Sequence, residues 1–271
     1  MKSINPATGE EIATHEEMTQ AQIDAALDRA EATFAIWRDT PIEDRTALLT
    51  ALADAYHDNR DRLARMATLE MGKTLKSALA EVDKCVAAFR HYAKEGPAML
   101  EGGSITLSSG GKADLVWLPI GAVLAVMPWN FPYWQVFRFL APALMAGNGA
   151  LLKHASNVSG CALAIENIFL RAGYPPGLFR TLVIPSEQVE KILENPLVRA
   201  ATLTGSTGAG KAVAAKAGAA VADQLDIEVN TFRDAVRAVI EARQEVGAEK
   251  PEEMTAEERE AHRAEFISDV A

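Results

Sequence analysis

Apolar positions recur at helical or strand spacing along most of the chain, and the rhythm changes twice. Residues 4–14 read as strand, turn and strand, with Pro6 and Gly9 as the turn residues. Thr19 is placed to cap a helix whose apolar positions Ile23, Ala26, Leu27, Ala30 and Phe34 fall three and four residues apart. Pro41 opens a long helix through Leu48, Leu49, Leu52, Ala55, Leu63 and Met66, ending near Gly72, and another is predicted from about Thr74 to Tyr92. Residues 103–126 favour β structure, with a turn at Gly110–Gly111.

From Val123 short apolar runs alternate with amphipathic ones. Strands are predicted at 123–128, 150–155, 179–184 and 200–206, and helices at 133–147, 159–173, 186–195 and 207–219. Four strands alternating with four helices predict a doubly wound parallel sheet. Such sheets bind ligands in the crevice beyond the carboxyl ends of their strands. That rule gives most weight to Asn130, to Lys153 through Ser156, and to Gly205 through Gly210.

After Ala219 the alternation stops. Val221, Leu225, Val229, Phe232, Val236 and Val239 recur at three- and four-residue steps and predict one amphipathic helix over 221–246, which Pro251 breaks. Thr255 and Glu258 form a capping-box pattern for a second, weakly apolar helix. Charge divides at the same place: residues 219–271 hold 14 Asp/Glu against 6 Lys/Arg, so most of the net charge of −10 lies there. Of the 18 glycines, 17 lie at or before Gly218. The chain therefore reads as 1–122, an N-terminal portion of helices and β hairpin; 123–218, an α/β portion; and 219–271, an acidic helical tail.

Composition narrows the function classes. The length of 271 residues supports a sizeable core. No apolar run is long enough to cross a membrane, and the N-terminus lacks the apolar stretch of a signal peptide, so no membrane partner and a cytoplasmic location are expected. An acidic chain without a Lys/Arg cluster argues against nucleic acid as a partner. Two cysteines, Cys85 and Cys161, exclude a disulfide scaffold.

The segment Gly205 to Lys211, GSTGAGK, follows a strand and opens a helix, where backbone N–H groups favour a phosphate. It has the G-x-x-x-x-G-K spacing of a P-loop, but Ala212 stands where a hydroxyl should hold magnesium. The reading is anion binding without a metal. A glycine turn kept only for tight packing is the alternative.

MPWNFP at 127–132, LLKHAS at 151–156 and LTGSTGAG at 203–210, with EMGK at 70–73 and the opening NPATGE, resemble the aldehyde dehydrogenase superfamily in order and spacing. The resemblance runs from about residue 3 to 218 and is most like bacterial succinate-semialdehyde dehydrogenases. It implies an α/β fold, a doubly wound, Rossmann-like sheet left incomplete, and a dinucleotide cofactor. Asn130 resembles the oxyanion-hole amide, which would stabilise charge developing on the substrate oxygen. Lys153 resembles the lysine that contacts the adenosine ribose. Many relatives place Glu where this chain has Ser156, and a carboxylate there would repel a 2′-phosphate, so the resemblance implies NADP or NAD with NADP favoured. Gly205 and Ser206 would meet the pyrophosphate. Trp129 is grouped with the cofactor contacts as packing rather than chemistry, and His154 is read as a surface or packing residue. Arg138, eight residues after Asn130, is similar to the arginine that holds the carboxylate of an acidic semialdehyde.

The resemblance also implies parts that this sequence lacks. In the family a Glu in an E-L-G-G segment is the general base, and a Cys in a G-Q-x-C segment is the nucleophile. Here the matching stretch reads AAVADQLDIEVN, and no cysteine follows Gly218. Cys161 falls in the first turn of a predicted helix, where a thiolate is favoured, but on the adenosine side; Cys85 falls mid-helix among apolar residues. The expectation is a truncated or chimeric dehydrogenase portion that binds the dinucleotide and is inactive alone. One sheet edge is expected to lie open, with 221–246 covering part of it. The alternative is a non-catalytic cofactor-binding or interaction module whose tail, 219–271, docks a protein partner.

Overall fold

The structure, a computed structural model, describes residues 1–106 and 110–225, with side chains as far as 219. Met1–Ala220 form one compact unit. The first hairpin pairs β1 (Lys2–Ile4) with β2 (Glu11–Thr14) in antiparallel register. Helix α1 (Gln20–Trp37) starts at Thr19 with a full capping box to Gln22, and the apolar positions expected of it are all buried.

The long helix expected from Pro41 is instead two, α2 (Ile42–Asp58) and α3 (Arg60–Met71). Asn59 makes the break, at φ −95° and ψ 7°. Its side-chain amide donates to Ala55 O at 2.8 Å and its Oδ1 accepts from Arg62 Nε at 3.2 Å. A short polar side chain thus competes with the helical ladder, which apolar periodicity does not register. Gly72, at φ 80°, ends α3 in the left-handed conformation.

Helix α4 (Leu75–Met99) overruns its expected end at Tyr92 and passes through Gly96 and Pro97. Gly96 is buried, and a Cβ there would stand 3.0 Å from Met145 Cε. The glycine serves close helix packing rather than a stop. The second hairpin, β3 (Gly103–Thr106) with β4 (Lys112–Leu115), is exposed on both strands.

The central sheet contains β5 (Ala122–Met127), β6 (Gly149–His154), β7 (Phe179–Thr181) and β8 (Val198–Leu203), all parallel, in the order β7-β6-β5-β8. Helices α5 (Trp134–Met145) and α6 (Ser159–Arg171) connect the first three strands. A 3₁₀ turn, Ser186–Gln188, and the short α7 (Val189–Leu193) carry the chain to β8 on the other side of β5. The strand order reverses between β5 and β8, and that is where such sheets open a crevice. Among the described residues β8 stands at one edge of the sheet, mostly half-buried.

Strand alternation divides the core between the two faces. Ala125, Ala150 and Leu152 pack with α2 to α6, whereas Leu124 and Leu151 pack with Ile23, Leu27 and Ile192 of α1 and α7. Both clusters join residues from either side of position 122.

Helix α8 (Thr207–Leu225) runs through Gly218 and does not end there. One interior glycine costs about 1 kcal/mol against alanine, and the alanine-rich run around it carries the helix on. The predicted helix over 221–246 lies outside the described residues from 226 onward, as do Thr255 and Glu258. Among the described residues no helix is long and apolar enough to cross a membrane.

Candidate functional site

The ends of β5, β6 and β8 bring the expected residues to one edge of the sheet. Lys153, the fifth residue of β6, is only 7% exposed. Its Nζ donates to Ser186 Oγ at 3.0 Å, tying the strand to the 3₁₀ turn after β7. Burial lowers the Lys153 pKa, and the nearby Glu187 carboxylate opposes that shift. A buried cation is retained only with a partner, and one hydroxyl is a thin shell for an ammonium. The site suits an anion.

Two cavities adjoin at Lys153, Ser186 and Glu187. One, of about 230 Å³, has apolar walls that include Val126, Leu193, Leu203 and Val213. The other, of about 370 Å³, is lined by Ser156, Lys2 and Glu17 among others. Ser156 is exposed and opens a 3₁₀ turn, Ser156–Val158.

Beyond β8, Ser206 caps α8: its Oγ accepts from Ala209 N at 3.2 Å, and its carbonyl accepts from Gly210 N at 2.9 Å. The amides of Thr207 and Gly208 have no acceptor among the described residues, as first-turn amides ordinarily do not. The glycines here are not fixed by packing. A Cβ at Gly205 would meet its nearest neighbour, Leu203 Cδ2, at 3.6 Å; the nearest atoms at Gly208 and Gly210 lie 3.9 Å away, and none of the three has a positive φ. That removes tight packing as the reason for the run. It leaves room for a group that approaches the backbone, as a pyrophosphate on a helix N-terminus requires, so the residues present fit a dinucleotide.

Asn130 lies three residues beyond β5 and is exposed, with Oδ1 accepting from Phe131 N at 3.1 Å. The loop that holds it is fixed from elsewhere. Buried Glu81 of α4 accepts the amides of Tyr133 and Trp134 at 2.8 and 2.9 Å, capping α5. Its other oxygen pairs with Lys73, whose ammonium also lies 4.1 Å from the centre of the Phe131 ring. Buried His154 bonds Pro132 O through Nε2 at 2.8 Å and accepts from Ala155 N through Nδ1 at 2.9 Å. Burial drives its pKa down to about 4, so the ring is neutral near pH 7 and Nε2 carries the proton. His154 is thus a packing residue with a definite task. Trp129, two residues beyond β5, is 51% exposed.

Arg138 is exposed on α5, its Nη1 3.4 Å from Gln135 Oε1. Neither Arg138 nor Asn130 lines the two cavities at Lys153.

The thiols do not converge on this edge. Cys85 and Cys161 are both fully buried, and burial raises each pKa well above the usual thiol value. The thiolate-favouring helix start expected around Cys161 is overturned by Glu70. That buried carboxylate accepts Gly160 N at 2.9 Å and Cys161 N at 2.8 Å, placing negative charge where the helix end is positive. Glu70 also accepts from Ser3 Oγ at 2.5 Å. The EMGK segment is therefore framework: Glu70 caps α6, Gly72 ends α3 and Lys73 pairs with Glu81. Among the described residues no cluster of His, Cys, Asp or Glu has the makings of a metal site.

Fold and crevice together define an open parallel α/β protein with a glycine-bearing helix start at the strand-order reversal. The sequence matches the aldehyde dehydrogenase family over residues 1–230, and the chain belongs to that family. It is 49% identical over 218 residues to a succinate-semialdehyde dehydrogenase [NADP(+)] of Mycobacterium tuberculosis, an alignment covering 80% of this chain and 48% of that protein. The chain spans about half the length of the curated relatives it matches. The fold superposes on succinic semialdehyde dehydrogenase from Streptococcus pyogenes, solved with NADP⁺ as cofactor, at TM-score 0.77 and 34% identity, covering 81% of this chain and 48% of that one. On succinate-semialdehyde dehydrogenase from Burkholderia pseudomallei it gives 0.78 and 32%, covering 82% and 46%.

Proposed function

We propose that this chain is the dinucleotide-binding portion of a succinate-semialdehyde dehydrogenase, with NADP favoured over NAD. The observation that carries the reading is buried Lys153 at the end of β6, facing a crevice that no carboxylate at position 156 closes to a phosphate. In this reading residues 123–218 hold the cofactor and residues 1–122 brace them. Lys153 and Ser156 take the adenosine ribose and a 2′-phosphate, the apolar cavity takes the adenine, and the amides from Gly205 onward take the pyrophosphate. When bound, the nicotinamide supplies a hydride acceptor for aldehyde oxidation.

Asn130, held by the loop that Glu81 and His154 fix, offers an amide donor to the aldehyde oxygen. Preorganised donors stabilise charge that develops only in the transition state. Arg138 offers its guanidinium fork to the carboxylate of the semialdehyde. The step left undone is attack on the aldehyde carbon. It needs a thiolate, and both thiols are buried and protonated. The 271-residue chain binds the dinucleotide and does not turn over.

The test is a fluorescence titration of the purified chain with NADP and NAD, followed in the same cuvette by succinate semialdehyde while reduced cofactor is monitored. Saturable binding, tighter for NADP, without aldehyde-dependent reduction is expected. A flat titration with both nucleotides sinks the cofactor reading, and turnover above buffer sinks the claim of incapacity.

A further inference from the structure

Three carboxylates line the two cavities beside Lys153, and their surroundings differ. Glu17 stands 3.9 Å from the N-terminal ammonium. Glu190 pairs with Lys216 of α8 across the mouth of the apolar cavity. Glu187 makes no ion pair among the described residues, and it belongs with Lys153 and Ser186 to the wall that both cavities share. The backbone that carries it is held: Pro185, at φ −68° and ψ 162°, leads into the 3₁₀ turn, Gln188 N donates to Pro185 O at 3.2 Å, and Ser186 is tied to Lys153, while the Glu187 side chain itself is exposed.

A cation and a carboxylate that feel each other without forming a close ion pair therefore face the same space from two elements. Two residues beyond β6 stands Ser156, so nothing there accepts from a ribose hydroxyl with a full charge. The geometry points to Glu187 as the residue that divides the site between the two dinucleotides: its carboxylate accepts from the free 2′-hydroxyl of the adenosine ribose and repels a 2′-phosphate. Lys153 draws the phosphate in and Glu187 opposes it, so the chain binds both nucleotides with a muted preference. Glu187 is a selectivity residue and has no part in the chemical step. The inference rests on the dinucleotide reading above.

The test measures dissociation constants of NADP and NAD for the full chain and for Glu187→Gln by calorimetric titration. Removing one nearby charge changes phosphate affinity by about tenfold. Glu187→Gln is expected to bind NADP about tenfold more tightly and NAD more weakly, and Glu187→Lys to go further in the same direction. Glu190→Gln leaves Lys216 its second partner, Glu194 at 3.6 Å, and is expected to shift the ratio of the two constants much less. Binding of both nucleotides with the same ratio in the wild type and in both Glu187 variants overturns the assignment and leaves the dinucleotide reading standing. An equal shift in Glu190→Gln also overturns it, because the effect is then general charge. Failure of the wild type and every variant to bind either nucleotide overturns the dinucleotide reading, and this assignment with it. Thermal melting of each variant establishes that it is folded.

Discussion

Glycines at two helix starts carry opposite reasons for being glycine, and substitution separates them. A Cβ on Gly160 would stand 2.6 Å from Glu70 Oε1, an oxygen held by Ser3 and by the Gly160 amide itself, so it cannot retreat cheaply. Gly160→Ala is expected to lower the unfolding free energy by about 2 kcal/mol, as overpacking does. A Cβ on Gly205 would make only ordinary van der Waals contact, 3.6 Å from Leu203 Cδ2. Gly205→Ala is expected to change stability by less than about 0.5 kcal/mol and to weaken dinucleotide binding severalfold. Urea melts and a nucleotide titration on both variants decide the matter; a large stability loss in Gly205→Ala would return that glycine to a packing role. His154 supplies a second residue-scale outcome. Its folded pKa, about 4, lies below the ordinary histidine value of 6.5, so the native state favours the neutral ring. That contribution is fully present above pH 6.5 and is lost as pH falls toward 4, amounting to about 3 kcal/mol for one buried imidazole. Urea midpoints measured at pH 7.5 and 5 are expected to converge in His154→Gln, which keeps a donor for Pro132 O but has no proton to gain. A pH slope unchanged from wild type would assign it to other groups.

Whole elements were legible where their determinants are local and obscure where they are not. The capping box at Thr19, the alternating faces of β5 and β6, and the placing of Lys153 and Gly205 at strand ends all follow from neighbours in sequence. The α2/α3 break turns on one asparagine side chain, and the length of α4 on a glycine packed against α5. The residues that hold the candidate site were not visible at all, because Glu81 reaches α5 across 52 positions and Glu70 reaches α6 across 91. A Glu mid-helix carries no signal that a distant helix needs a cap, although EMGK, read as a family mark, did contain three framework residues, Glu70, Gly72 and Lys73. The dependence of α5 on α4 has a measurable consequence. Glu81→Ala leaves two amides uncapped and strands Lys73, whose side chain is 7% exposed. Breaking a buried pair on one side costs about 3–5 kcal/mol. Glu81→Ala with Lys73→Met is expected to recover much of that loss, since no lone charge then remains buried. A double variant no more stable than the single one would show that the cap, and not the ion pair, dominates.

At the scale of the molecule, the same burial that disqualifies the thiols makes them reporters. Cys85 packs among Val82, Val86 and Phe89 of α4, and Cys161 sits beneath the Glu70 cap of α6, within the cluster shared by α2 to α6. A thiol with its pKa raised by burial and no solvent access reacts only after the surrounding structure opens. Labelling with a chromogenic disulfide at pH 8 is therefore expected to be slow and to follow opening of Met1–Ala220, both thiols appearing together. A ligand that binds the folded form alone stabilises it by about 2.7 kcal/mol at a hundred times its dissociation constant. When labelling is limited by the open population, NADP at that excess is expected to slow both thiols about a hundredfold. One experiment then joins the two halves of the functional reading. Protection by NADP places the nucleotide on the folded unit, and slow labelling without it keeps both thiols away from any aldehyde. A thiol that reacts within seconds while circular dichroism stays native would restore a candidate nucleophile and remove the ground for calling this chain inert.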